Sequence, residues 1–251
     1  MFQEQSGLQK IEVNDNGPGI PREQIEHLCK PYFTSKLSTF EDLETLQTYG
    51  FRGEALHSIC TIARISVITK TALDDVAMMY EFDSNGVVVE SKPTHHGNGT
   101  TIVVKDLFKD LPVRKQNLKS LKAQKDEVKR IEDLLMGFGL TYCNLRITLS
   151  NDKKEIWRKN RTANFSFSIK EIFKSRVANL LEEILIEDGE FQICGYVPKK
   201  CCDTQVVSRS TGDRIFLSVN KRPVAISSLK KVWSQFDKFI MVYKSLLYKL
   251  E

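Results

Sequence analysis

Three short stretches near the start of the chain carry residue types that suit chemistry. Asp15-Asn16-Gly17-Pro18-Gly19 follows a short β pattern. A carboxylate held at a strand end accepts a hydrogen bond from an exocyclic amine such as that of adenine, and the glycines let backbone come close to a flat ligand. Gly50-Phe51-Arg52-Gly53-Glu54-Ala55-Leu56 is a glycine-flanked loop opening a helix. Free amides and the positive end of the helix dipole make such a start an anion site, most naturally for phosphates. Between them, Thr34-Ser35-Lys36 offers two hydroxyls and an ammonium. Taken singly, each also reads as something plain: a polar turn, a helix start with glycine as its cap, a solvated loop.

The elements that must position these residues follow from periodicity. Lys10 to Asn14 alternates Ile11 and Val13 with polar residues, which predicts a strand running into the Asp15 turn. After Pro21 a helical stretch places Ile25, Leu28 and Cys29 on one face, and Lys30 to Gly50 reads as a long loop with a short helix inside it. Gly53 to Ala63 predicts a buried helix. Strands are expected at Ile65 to Thr71, in a hairpin from Met78 to Glu90 turning at Asn85-Gly86, and at Thr100 to Val104. One long helix is expected from Lys115 to Phe138, ended by Gly137 and Gly139, then a hairpin around Asn151-Asp152. Near Asn160 to Asn164 the pattern resets, dividing residues 1–160 from a second α+β unit over 161–251. That unit is expected to hold helical runs at Ile169 to Lys174 and Val177 to Leu185, strands at Phe191 to Val197 and Arg214 to Val219, and a final helix from Ser227 to Leu247.

With 251 residues, 41% hydrophobic and 27% charged, the chain has material for a core, which excludes wholesale disorder. No apolar run approaches the ~18 residues of a membrane span, so no membrane partner is expected. The six cysteines (Cys29, Cys60, Cys143, Cys194, Cys201 and Cys202) are scattered without CxxC pairs and read as reduced thiols rather than a zinc site or disulfide frame. His95-His96 lacks a third ligand nearby, so no metal site is expected there. A net charge of +5 says little about partners by its sum and more by its distribution.

The three stretches together, in that order, resemble the nucleotide pocket of the GHKL ATPases. Thr34-Ser35-Lys36 followed by Tyr49 through Leu56 is similar to the signature of the MutL mismatch-repair family. Gly99-Thr100-Thr101, Leu107-Phe108, Leu111-Pro112-Val113-Arg114-Lys115, Phe216 through Asn220 and Arg222-Pro223-Val224 resemble its later motifs, and the wording around Pro112 leans toward the postmeiotic-segregation branch. The resemblance implies a two-layer α/β sandwich of GHKL (Bergerat) type over residues 1–160, with a mostly antiparallel sheet and helices on one face. A smaller transducer-like α+β domain should follow over 161–251. It further implies that Asp15 binds the adenine amine, with Gly17 and Gly19 shaping the pocket floor. Thr34, Ser35 and Lys36 should belong to a lid, Arg52, Gly53, Glu54, Ala55 and Leu56 should surround the phosphates, and Thr101 with Thr100 should back the adenine site. ATP with Mg2+ is the implied cofactor. DNA, a second MutL-family subunit and mismatch-recognition proteins are the implied partners, and the nucleus the implied address.

The family's first helix carries a Glu that polarises the attacking water and an Asn that ligates magnesium, upstream of the Asp motif. Only 14 residues precede Asp15 here, and Glu4 and Glu12 among them do not form that pair. The chain also stops before the Asn-x-x-Pro-x-Lys pattern that supplies a lysine to the γ-phosphate. Both domains are therefore expected to be incomplete and hydrolysis by this polypeptide poor, since losing such groups commonly costs ~10²-fold or more. An alternative of another class is a non-enzymatic heterodimer subunit that acts through DNA and protein contacts alone.

Between Arg114 and Arg130 there are seven basic residues against two acidic ones. Lys115, Lys119, Lys122 and Lys129 recur at helical spacing, with Leu121, Val128, Ile131 and Leu135 on the other side. Such a stripe suits either a solvated helix face or sequence-blind contact with DNA phosphates, and the resemblance favours DNA. Phe165-Ser166-Phe167 with Trp233 and Phe236 reads as core of the second unit.

Overall fold

The computed structural model describes residues 1–33, 53–188, 191–207, 215–224 and 242–243. Thr34, Ser35, Lys36 and Arg52, with the loop expected around them and most of the expected final helix, lie outside the described residues. The chain divides into two units, Met1–Val128 with Leu149–Ile156, and Lys129–Thr148 with Trp157–Glu251.

The first unit opens with β1 (Phe2–Glu4), a tight turn with positive φ at Gln5, Ser6 and Gly7, and β2 (Lys10–Asp15). There follow α1 (Arg22–Ile25), α2 (Ala55–Ile62), β3 (Arg64–Lys70), β4 (Ala77–Phe82), β5 (Val88–Thr94), β6 (Gly99–Lys105) and α3 (Pro112–Asn117), and then α4 (Leu121–Thr141), β7 (Ile147–Asn151) and β8 (Lys154–Lys159), of which residues 129–148 and 157–159 belong to the second unit. The eight strands form one sheet in the order β5-β4-β3-β6-β2-β1-β7-β8. Its pairing is antiparallel from β5 to β1, and parallel between β1 and β7. Ile65, Val67, Tyr80, Phe82 and Val104 share a core with Ile25 and Cys29 of the α1 region and Cys60 of α2. Both helices therefore cover one face of the sheet, the layering expected from the sequence. Within that core the thiols of Cys29 and Cys60 hydrogen-bond to each other, and that contact together with burial keeps the Cys29 thiol protonated.

The hairpins form where the turn residues demand them. Asp83 Oδ1 accepts from the amides of Asn85 and Val87, closing the β4–β5 turn. The β7–β8 turn has positive φ at both Asp152 and Lys153, the geometry that matches strand twist.

The single long helix expected from Lys115 to Phe138 is instead two helices. Pro112 opens α3 at the position where a missing N–H costs nothing. Ser120 then starts α4, its Oγ accepting from the Ala123 amide. Gly137 and Gly139 lie inside α4 rather than ending it. Close approach accounts for Gly139, where a Cβ would sit 2.8 Å from Lys159 Cδ; at Gly137 a Cβ would meet Pro223 at an ordinary 3.4 Å.

The second unit continues with α5 (Phe165–Ala178), β9 (Leu181–Asp188), β10 (Phe191–Pro198), α6 (Thr204–Val207), β11 (Leu217–Val219), β12 (Arg222–Val224) and β13 (Val242–Tyr243). Asn164 caps α5, accepting from the Phe167 amide at 3.1 Å, and positive φ at Lys174 interrupts the helix. The helical run expected at Val177 to Leu185 is a strand over Leu181–Asp188, paired antiparallel with β10 along its full length. Val242–Tyr243 likewise pairs with β10 where the final helix was expected to run. Leu140, Phe165, Ile169, Val177, Leu181 and Val207 form this unit's core. Phe167 is exposed, so only the first of the two phenylalanines serves the core as expected.

Candidate functional site

Asp15 is the last residue of β2, and the strand register decides what lies beside it. Asp15 pairs with Thr100 on β6, which pairs with Thr69 on β3. Strand side chains alternate between faces. Asp15, Thr100 and Thr69 therefore share the face of Ile65, Val67 and Val104; α1 and α2 cover that face over Ile65 and Val67, while Asp15 itself is exposed. Asp15 Oδ1 accepts from the Gly17 amide at 2.8 Å and from the Thr100 amide at 3.3 Å. Its other oxygen, Oδ2, has no hydrogen-bond partner among the described residues.

The turn after Asp15 is held tightly. Gly19 has φ +80 and approaches β3 so closely that a Cβ would lie 2.3 Å from the Lys70 carbonyl oxygen. Gly99, with φ +129, meets the Asp15 carbonyl oxygen in the same way, at 2.2 Å. Gly17 needs no special φ; a Cβ there would meet only the Asp15 carboxylate, at 2.9 Å. Next to the turn, Asp74 Oδ2 accepts from the amide and hydroxyl of Thr71, and its Oδ1 from Arg22 of α1. The hydrogen bonds from Thr71, then the Arg22 charge, hold the Asp74 carboxyl below the usual carboxylate range.

Thr100 and Thr101, expected to act together, are separated by the strand period. Thr101 turns to the opposite face, where its Oγ1 accepts from Asn14 Nδ2 at 2.7 Å and lies 2.9 Å from His96 Nε2. Glu12 is on that face too, ion-paired to Lys10 at 2.7 Å.

Gly53 has φ +66 and packs against the Phe33 backbone. Glu54, at the N-cap of α2, makes no side-chain cap hydrogen bond, and no acidic residue sits in the first turn. Among the described residues no side chain caps the first amides of α2. Ala63 alone joins α2 to β3, and Leu56, Ile59 and Cys60 pack in the core of Ile65 and Val67. The helix therefore packs against β3. Asp15, Gly17 and Thr100 are joined at the ends of β2 and β6, and Gly53 and Glu54 lead into Ala55 and Leu56 at the start of α2. Thr69 escaped the sequence reading. Its only signal was a hydroxyl at an inward position of an Ile- and Val-rich strand.

Among the basic residues, Arg114, Lys119 and Lys122 are exposed and Lys115 is half-buried. Leu121, expected on the apolar side, is 76% exposed beside them. Lys129 differs, because its ammonium bridges Asp133 at 2.8 Å and Glu132 at 3.4 Å. Burial disfavours that charge, but the two carboxylates outweigh it and hold its pKa above the usual lysine value.

No family model matches the chain. It is 42% identical over 231 residues to human PMS1 protein homolog 1, covering 91% of this chain and 25% of that protein. It is 34% identical over 233 residues to DNA mismatch repair protein MutL of Thermotoga maritima, covering 91% of this chain and 43% of that protein. The chain thus spans between a quarter and under half the length of these relatives. The solved Aquifex aeolicus MutL ATPase domain complexed with ADP superposes with a TM-score of 0.68 at 20% identity, covering 98% of this chain and 82% of that one. The motifs around Asp15 and Gly53, the layering of helices on one sheet face and these similarities agree: the chain has the fold of the Aquifex aeolicus MutL ATPase domain and belongs to the MutL/PMS family of DNA mismatch-repair proteins.

Proposed function

We propose that this chain is a mismatch-repair subunit that binds adenine nucleotide and contacts DNA. The observation that carries the reading is the Asp15 carboxylate, anchored at Oδ1 by two backbone amides and open at Oδ2 among the described residues. An anchored acceptor beside a glycine turn is what an adenine amine needs. Gly17 and Gly19 shape the floor for the base, and Thr100 backs it. Arg52, Gly53, Glu54, Ala55 and Leu56 serve the phosphates, and Thr34, Ser35 and Lys36 belong to the nucleotide lid that the family resemblance implies. Magnesium accompanying ATP supplies charge neutralisation at the phosphates. Among the described residues no three His, Cys, Asp or Glu side chains gather to hold it, and no residue of this chain is assigned to it.

Residues 1–14 form β1, a tight turn and β2, with Glu12 paired to Lys10 on the face away from Asp15. No helix there presents a carboxylate to a water at the phosphates, so these 251 residues by themselves hydrolyse ATP slowly or not at all. Arg114, Lys115, Lys119 and Lys122 on α3 and its junction with α4 contact DNA phosphates, with Lys129 contributing less because its charge is already engaged. The second unit serves as the transducer-like domain. A second MutL-family subunit and mismatch-recognition proteins in the nucleus complete the assembly.

Calorimetric titration of the 251-residue chain with a non-hydrolysable ATP analogue tests the nucleotide reading. Asp15→Asn exchanges the open acceptor for a neutral amide and is expected to weaken binding by about ten- to hundredfold. Unchanged affinity in that variant overturns the role of Asp15. No binding by the parent chain favours the non-enzymatic subunit instead.

A further inference from the structure

Thr69 lies at the end of β3 on the covered face, 5% exposed, two residues beyond the fully buried Val67. A hydroxyl has one proton to donate and two positions at which to accept, and Thr69 uses all three. It accepts from the Ile20 amide at 2.8 Å, donates to the Gly99 carbonyl at 3.2 Å, and has the Thr100 hydroxyl as its second donor at 3.3 Å. These partners belong to the two segments that hold Asp15. Ile20 closes the glycine turn that follows it, and Gly99-Thr100 opens β6, whose Thr100 amide donates to Asp15 Oδ1. The close approaches of Gly19 to Lys70 and of Gly99 to Asp15 leave neither segment room to shift alone.

We propose that Thr69 is a positioning residue for the base-reading carboxylate: it ties the glycine turn to β6 and so sets where Asp15 Oδ2 points, which makes it a determinant of adenine selectivity. The proposal rests on the nucleotide reading above. Thr69→Val keeps the shape and removes every hydrogen bond, leaving the Ile20 amide without its acceptor. Thr69→Ser keeps the hydroxyl.

The test is calorimetric affinity of the 251-residue chain for a non-hydrolysable ATP analogue and for its inosine counterpart, which lacks the exocyclic amine. The parent chain should prefer the adenine compound. T69V should lose about tenfold for adenine and less than about twofold for inosine, and T69S should stay near the parent. An equal loss for both nucleotides, or no loss for either, overturns the role of Thr69 while leaving the site itself intact. A parent chain that binds neither compound overturns the nucleotide reading instead. Hydrogen exchange of the unliganded parent chain covers the case in which T69V fails to fold. The Ile20 amide should exchange slowly before any nucleotide is added, and fast exchange there overturns a pre-set turn.

Discussion

Asp15 could be found from five consecutive residues, because the turn that orients it is local: its own Oδ1 takes the amide two residues ahead. What the sequence left open was which threonine stands beside it. Thr100 and Thr101 are equivalent on paper, and one step of strand alternation sends Thr100 to Asp15 and Thr101 to Asn14 and His96. The glycines separate in the same way. Gly19 and Gly99 combine positive φ with backbone closer than a Cβ permits, whereas Gly17 meets only a movable carboxylate. Gly19→Ala and Gly99→Ala should each lower stability by about 2 kcal/mol or more, from strain plus overpacking. Gly17→Ala should leave the melting temperature near that of the parent while weakening nucleotide binding. Thermal melts of the three variants check this, and a Gly17→Ala loss as large as the others would contradict it.

At the level of elements, β2 to β6 were readable because hydrophobic alternation and turn dipeptides are local signals. The stretch after residue 110 was not. Ser120 is a good N-cap, but a run of good helix formers on both sides concealed the break it makes. Leu181–Asp188 spells Glu-Glu-Ile-Leu-Ile, acceptable to a helix, and its pairing with β10 overrides that local preference. Lys159 looks like a surface residue at a strand end. In fact it is fully buried, and its ammonium donates to the carbonyls of Tyr142, Cys143 and Leu145 at 3.3, 2.7 and 3.0 Å, past the C-terminal end of α4. A cation there also suits the helix dipole. Lys159→Met removes the ammonium donor from the Leu145 carbonyl, while the Cys143 carbonyl keeps its bonds from Thr162 and the Tyr142 carbonyl keeps the Leu145 amide, and it should destabilise the protein by about 1–3 kcal/mol. Burial lowers the Lys159 pKa from 10.5, with Cys143 and Glu171 pulling partly back. The folded state therefore releases this proton before the unfolded chain does, and stability rises as pH climbs through the folded value, levelling off near 10.5. Denaturant unfolding of parent and K159M across alkaline pH should show their difference widening over that window and constant below it.

For the molecule as a whole, the basic residues around α3 predict binding governed by phosphates. The slope of log affinity against log salt should fall by up to about 2.7 in the Lys115, Lys119 and Lys122 triple alanine variant, about 0.9 for each duplex phosphate that is no longer neutralised. Lys129→Ala should scarcely change it, because Asp133 and Glu132 already hold that charge. An unchanged slope in the triple variant would remove DNA from this surface. Steady-state turnover of ATP by the 251 residues should be far below that of an intact homologue, and comparable turnover would refute the proposed loss of hydrolysis. Family membership, the Asp15 turn, the helix start at Gly53 and the succession of strands β2 to β6 along the chain were determined by the sequence alone, since each rests on neighbours within a few residues or on a simple period. Which face Thr100 takes, why Thr69 carries a hydroxyl, where Lys159 puts its charge and why Leu121 meets solvent were decided only by the tertiary structure. Register and close approach join residues far apart in the chain, and no local pattern encodes such distances.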